Sequence, residues 1–509
     1  MPCEDTLLLH HALHPGMTGR ETETQLKSGR RGGAGHNLGF VAAQYLDVEP
    51  WKHLGGEGAE TLDDLRFYNA LDARHTLEAF YAMQAQDEAC QTNREFYELL
   101  KEVTPIASAM TLKGLPIDKA ALREFGVQTE KEMHDALEGL RQKHSWPEFN
   151  PNSTNHMREL LFQRLQLSVV SYTKKTHALS TDKGTLVQHM EHDDVRAVMT
   201  WKALRKLRSD YVIPLLAMDS PRLHATWNSH GAATARWSSS PNVQNWTKAK
   251  VEKRCPNCTP GKPCNAHLGM RRIVVAPKGR MFVAADFAQL ELRLLAVYAK
   301  VAKLIQAFQR GDDVHALIAA DLFAEEWPTA EAPVRKALRD VAKRFEYGGL
   351  AYMGTADTIY HNLRPDYPEL SRSRIEVLLL TLFARYPEIK EFHHTLLHHV
   401  KQEHSLTVVG WTRRFWTSEV DATVIANWPI QTTAAILMNK AIVRVARAIR
   451  GRGDLLVNGH DSVLVECDRA KAKDVAGRVS KAMTTQFEVD GVWLDLPVDV
   501  KVGRSWANV

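Results

Sequence analysis

Apolar and polar positions change their period several times along the chain, and the changes mark its elements. Residues 281–285 form a short continuous apolar run, the pattern of a buried strand, and from Leu290 apolar residues recur at helical spacing through Leu294 to Tyr298. Asp286 stands where that strand would end. A carboxylate there stays solvated and can hold a cation, and it can equally cap the following helix. Upstream, helical patterns cover 38–46, 61–82, 119–143 and 195–216, and a strand pattern begins at Arg222. Downstream, helices are predicted over 304–308, 313–323 and 334–347, then a hairpin-like segment over 405–416 and a long helix running through Arg450. Strand, turn and strand follow over 455–467, where Asn458-Gly459 is a strong hairpin signal. The chain closes with a helix over 469–486 and a strand over 497–503.

Between these patterns, residues 18–35 are polar and Gly-rich and read as a linker. No uninterrupted apolar run approaches a membrane span, and the N-terminus lacks a signal-peptide pattern. The expected location is therefore the cytoplasm, or the host cytoplasm for a virus, with no membrane partner. At 509 residues the chain is long enough for two or more domains. Its net charge is only +5, but the basic residues cluster. Residues 247–272 carry seven Lys or Arg against the single acid Glu252, and residues 334–345 carry five against Asp340. Either run alone is an ordinary solvated face. Two runs flanking a candidate carboxylate site suit a polyanion track, because neutralising phosphates supplies most non-specific nucleic-acid affinity.

Four further segments carry chemistry. The loop 234–245 is dense in hydrogen-bonding groups, including Arg236, Asn242 and Gln244, which can contact sugar-phosphate oxygens and minor-groove acceptors. Arg339, Lys343 and Tyr347 are spaced four apart on a predicted helix, each rotated only about 40° from the last. Two cations and an aromatic ring on one face can clamp a triphosphate and stack a sugar or base, or simply face solvent. The turn after Asn458 carries His460 and Asp461, a second carboxylate at a strand turn. Cys255-x-x-Cys258 and Cys264-x-x-His267 offer four ligands at a spacing that can close a structural zinc site, or free thiols in a flexible insert. Tyr68 and Asp72 share one face of a polar helix near the start.

Asp286-Phe-Ala-Gln-Leu-Glu-Leu-Arg293, Arg339-xxx-Lys343-xxx-Tyr347-Gly348 and His460-Asp461, in that order, resemble the three polymerase motifs of family A DNA polymerases. These are the bacterial DNA polymerase I class and its phage relatives. The segment 234–245, Asn427-xx-Ile-Gln431 and Val498-Asp-Val-Lys-Val-Gly503 also match, so the resemblance runs from about residue 95 to the C-terminus. It implies an α+β right-hand fold, with a palm of antiparallel sheet (221–300 and 405–509), a helical thumb (118–215) and helical fingers (301–404). The reaction it implies is template-directed addition of dNTPs to a primer 3′-hydroxyl with release of pyrophosphate. Asp286 and Asp461 would bridge two Mg²⁺ ions about 3.5–4 Å apart. Arg339 and Lys343 would stabilise charge on the phosphates.

By the same resemblance, Tyr347 lines the sugar pocket and Glu291 clashes with a ribose 2′-hydroxyl. Gln289, His460 and Tyr352 complete the substrate set, while Arg236, Asn242, Gln244, Asn427 and Gln431 contact primer-template DNA. The sequence departs from the family in several places. Motif C usually reads His-Asp-Glu, and here Ser462 replaces the Glu. Gly348-Gly349 lengthens the motif that normally leads to a Tyr, and Cys/His insert 247–270 is not general in the family. Residues 1–95 resemble the last portion of a ribonuclease H-like 3′→5′ proofreading domain, of which only Tyr68 and Asp72 would remain. No proofreading is expected from this chain alone, and a separate exonuclease polypeptide or a processivity factor is an expected partner. Two rival readings are a single-subunit RNA polymerase-like enzyme and a catalytically inactive DNA-binding subunit. Glu291 favours deoxynucleotides over the first, and the intact aspartates and Arg/Lys pair favour catalysis over the second.

Overall fold

The computed structural model describes residues 4–15, 37–55, 61–85, 87–173, 176–248, 269–351, 353–364, 366–367, 369–415 and 421–509. Its centre is a four-stranded antiparallel sheet of β1 (Arg280–Phe287), β2 (Gly453–Asn458), β3 (Ser462–Asp468) and β4 (Val498–Gly503), in the spatial order β4-β1-β3-β2. The apolar run expected as a strand is β1, sheltered between β4 and β3. Alternation along the strands puts Val283, Ala285, Val463, Val465 and Val500 on one face and Asp286, Ser462 and Asp499 on the other. The helix Ala472–Met483 lies against β1, β3 and β4.

The helical parts flank this sheet. Helices α1 (Lys119–Lys143) and α2 (Asp193–Leu207) pack together over a satellite core that includes Leu140, Phe149, Leu161, Val195 and Val198. The pattern that reads as one helix over 195–216 is broken by a π-helical stretch, Arg208–Val212, before Pro214 opens Ile213–Ala217. Helix α3 (Leu290–Tyr298) follows β1 directly, and its Leu290, Leu294 and Val297 are buried. It packs on α5 (Ala422–Ala448), the long central helix. Helix α4 (Ala332–Phe345) carries the basic run and passes without a break into a π-helical turn, Glu346–Ala351. The Gly348-Gly349 pair answers to crowding there: a Cβ at Gly349 would meet Leu379 at 2.9 Å, and the Gly354 N–H donates to the Gly348 carbonyl at 2.7 Å.

The regular elements among the described residues between 4 and 95 are the helices Thr6–Leu13, Leu38–Tyr45, Leu62–Ala85 and the start of Asp87–Lys113, with a short 3-10 turn Lys52–Leu54, so the sheet of a ribonuclease H-like domain is not among them. The core is continuous across residue 95. Leu8, Leu9 and Ala12 belong to the same cluster as the sheet, and the Ala12 carbonyl accepts from Asn93 at 2.8 Å and from the Trp411 indole at 2.9 Å. Among the described residues no helix is long and apolar enough to cross a membrane.

Candidate active site

The site forms where β1 ends and the β2–β3 turn crosses it. Asp286 is not a helix cap. It is the penultimate residue of β1, while the N-cap of α3 is Gln289, in left-handed backbone conformation (φ 54°, ψ 42°). Asp461 is held alongside through the backbone, its carbonyl accepting the Phe287 N–H at 3.0 Å. The left-handed residue of its turn is His460 (φ 76°) rather than Gly459. Such a conformation costs a non-glycine residue of order 1–3 kcal/mol. It is held by the Asn458 side chain, which accepts the His460 N–H at 3.1 Å, and by the Gly459 N–H donating to the Ser462 carbonyl at 2.7 Å. Gly459 is needed for space: a Cβ there would collide with the Ser462 hydroxyl.

Two cavities open on this junction. The first, about 320 Å³, is lined by Arg236, Gln289, Glu291, Lys343, His460 and Asp461, and also by His315. Six residues that the sequence singles out for substrate, DNA or metal therefore meet on one surface, from segments up to 225 positions apart (461 − 236). The second cavity, about 120 Å³, adjoins Asp286 and is lined by Ser462, Asp499, Lys248, Arg271 and Lys501 among others. Burial pushes the Asp461 carboxyl up to about 7, with the Asp286 charge the next contribution in the same direction. Asp286 is raised by burial too; Lys248 opposes this, Asp499 adds to it, and Arg271 and Lys501 oppose it. Both aspartates are exposed at the cleft, and water there moderates the effect. Neighbouring carboxylates that resist ionising together make a site whose strain a cation relieves.

The remaining expected residues divide. Arg236 forms an ion pair with Glu291 on the cavity wall, so the residue expected at DNA holds the residue expected to sense the sugar. Lys343 is exposed and lines the cavity, but Arg339, one turn earlier, does not. Its guanidinium grips Asp313 at 2.8 and 3.1 Å, and those hydrogen bonds are the main cause of its raised pKa. Gln244 is a correction. It is 8% exposed, and its amide donates to the Asn458 carbonyl at 3.0 Å, which ties the polar loop to the strand before His460 instead of facing a groove. Asn242 is exposed and accepts the Asn245 N–H at 3.2 Å. Asn427 and Gln431 lie one turn apart on α5, half-buried. Tyr347 falls in the π-helical turn and its side chain is not among those described. Tyr352, Cys255, Cys258, Cys264 and His267 lie outside the described residues. Among the described residues no three His, Cys, Asp or Glu side chains are grouped to close around a metal ion.

One part of the cavity wall escaped the sequence. His315 and Glu346, 4% and 1% exposed, share a hydrogen bond beneath the first cavity. They come from two different helical segments 31 positions apart, and no local pattern links them.

Comparison with known proteins decides the family. The model of DNA polymerase family A matches residues 119–508. The chain belongs to DNA polymerase family A. It is 31% identical over 463 residues to DNA polymerase I of Chloroflexus aurantiacus, covering 86% of this chain and 46% of that protein. The thermostable DNA polymerase I of Thermus thermophilus is 30% identical over 432 residues, covering 81% of this chain and 48% of its own length. The chain thus spans about half the length of these relatives. Its fold is that of the POL domain of Pol1 from M. smegmatis, solved in complex with DNA primer-template and dNTP, with a TM-score of 0.77 at 22% identity, covering 99% of this chain and 82% of that one. The fold is that of a family A polymerase domain, helix-rich with sheets.

Proposed function

We propose that this chain is a DNA-directed DNA polymerase that adds dNTPs to a primer 3′-hydroxyl and releases pyrophosphate. The observation that carries the reading is the first cavity, which gathers Arg236, Gln289, Glu291, Lys343, His460 and Asp461 beside Asp286. Family membership supports it, as does the primer-template and dNTP held by the structural relative. In this reading residues 118–215 are the thumb, 301–404 the fingers, and 221–300 with 405–509 the palm. The setting is the cytoplasm, and by their spacing alone Cys255, Cys258, Cys264 and His267 would supply a structural zinc.

The two aspartates fit a divalent cation: they are hard oxygen donors, open to water and crowded enough that a positive charge relieves both. Magnesium bound there supplies activation of the primer hydroxyl and neutralisation of the triphosphate. The protein's own groups do the rest. Lys343 meets the phosphates as a mobile cation, and Arg339 joins it only after letting go of Asp313. Charge built up in the transition state is then met by the two cations together. Arg236 holds Glu291 against the sugar position, so that an added 2′-hydroxyl meets a fixed carboxylate. His460 and Gln289 shape the wall through their left-handed backbones.

The described part of residues 1–95 is read as exonuclease-like. Asp72 is tied to Lys52 at 2.7 Å and to the Trp51 indole at 2.6 Å, which leaves it engaged with protein groups. Extension of a labelled primer on a template tests the proposal: incorporation of dNTPs in preference to rNTPs is expected, and no extension with either would refute it.

A further inference from the structure

Motif C of the family normally supplies a carboxylate immediately after its Asp, and here Ser462 stands in that place. The sheet register offers a replacement from the opposite flank. In β1, Asp286 has Ser462 of β3 as its Cα partner on one side and Asp499 of β4 on the other. Partners across an antiparallel ladder project from the same face with Cβ atoms roughly 4.5–5.5 Å apart. Asp286, Ser462 and Asp499 accordingly line one cavity. Asp499 is exposed to that space.

We propose that Asp499 is a positioning residue for the divalent cation at Asp286, reaching it from β4 across the face that Ser462 leaves open. It acts on the hydrated ion. Asp286 and Asp499 have no third His, Cys, Asp or Glu among the described residues grouped with them to close around a bare metal, and the cavity of about 120 Å³ has room for several waters, at about 30 Å³ of liquid volume each. Magnesium keeps most of its waters and is held by few direct carboxylates, so a second-sphere carboxylate is the natural partner of its aqua ligands. Ser462 is the small residue that leaves this space open. Lys248, Arg271 and Lys501 rim the same cavity and repel a cation there, so a second carboxylate beside Asp286 offsets part of their charge.

This inference rests on the polymerase reading for its metal, but its test does not need turnover. Mn²⁺ binding to the purified chain is followed by the loss of the free-ion EPR signal, with Asp286→Asn as the control for the site and thermal unfolding as the control for folding. Loss of an outer-sphere group weakens metal binding by about 10–100-fold. Asp499→Asn is therefore expected to weaken Mn²⁺ binding at least about tenfold, and adding Ser462→Glu to Asp499→Asn to restore most of it. An Asp499→Asn titration that overlays the wild type would overturn the inference and leave Asp499 as a counter-ion to the neighbouring lysines. If the wild type binds Mn²⁺ but extends no primer, the polymerase reading fails while the Asp499 comparison remains readable.

Discussion

In the proposed reaction Arg339 cannot serve the triphosphate while Asp313 holds it, and the strength of that hold predicts how activity responds to breaking it. The pair is two-pronged, 2.8 and 3.1 Å, with side chains 34% and 48% exposed. Pairs of this exposure are worth about 0–1 kcal/mol, and bidentate geometry places this one near the top of that range. One kcal/mol is a factor of about 5 in an equilibrium. Asp313 also caps the helix Val314–Leu322, accepting the Ala316 N–H at 3.1 Å. Asparagine caps as well as aspartate, so Asp313→Asn removes the competing charge without unwinding the helix. The expected result in steady-state dNTP incorporation is a KM lowered roughly two- to fivefold with kcat little changed. Arg339→Ala should raise KM, and in that background Asp313→Asn should add nothing, since the two act through one contact. A KM gain that persists without Arg339, or a raised KM in Asp313→Asn alone, would refute the competition.

Other consequences are open to measurement. The folded Asp461 carboxyl is pushed up to about 7 from its ordinary 3.8, so its favourable contribution is complete below the unfolded value and is lost as pH rises through the folded one. In EDTA, Asp461→Asn should therefore gain Tm over the wild type progressively from about pH 4 to about pH 8, and a pH-independent difference would contradict the assignment. Glu466 is 3% exposed and accepts from Arg222 and from Arg280, the latter at 2.9 Å. Glu466→Ala should cost about 3 kcal/mol in denaturant unfolding, the low end for a broken buried pair because both guanidiniums keep some water; a loss under about 1 kcal/mol would show that the network contributes little. Tyr347→Phe should raise discrimination against dideoxynucleotides, and equal termination of wild type and variant would remove Tyr347 from the sugar pocket.

What could be read from the chain alone was whatever local periodicity controls. β1 and α3 announced themselves as an apolar run followed by helical spacing. Whether Asp286 capped a helix or faced a cleft was not local: it turned on Gln289 taking the left-handed N-cap position. The hairpin Thr485–Val489 and Val492–Leu496 begins inside the expected helix 469–486 and runs through a stretch given no element, although Asp490-Gly491 (φ 50° and 79°) is the turn pair such a ribbon needs. Its fully buried positions are Phe487, Leu494 and Leu496, with Val489 and Val492 partly buried, too short a pattern to stand out. Expectations about individual side chains fared according to their partners. Lys343, Glu291 and Arg236 reached the cavity, whereas Arg339 and Gln244 were claimed by Asp313 and the Asn458 carbonyl, both remote in sequence. The His315–Glu346 contact is of the same kind.

The central claim is that Asp286 and Asp461 hold the reaction centre of a polymerase. Single-turnover incorporation of one dNTP on a saturating primer-template, compared between wild type, Asp286→Asn and Asp461→Asn, tests it most directly. The account predicts that the wild type incorporates the templated nucleotide and that each variant loses about 10³-fold or more in rate, several kcal/mol of lost charge stabilisation. Primer-template binding by fluorescence anisotropy should stay within about threefold, since phosphate contacts dominate affinity. Incorporation at the wild-type rate by either variant would contradict the account.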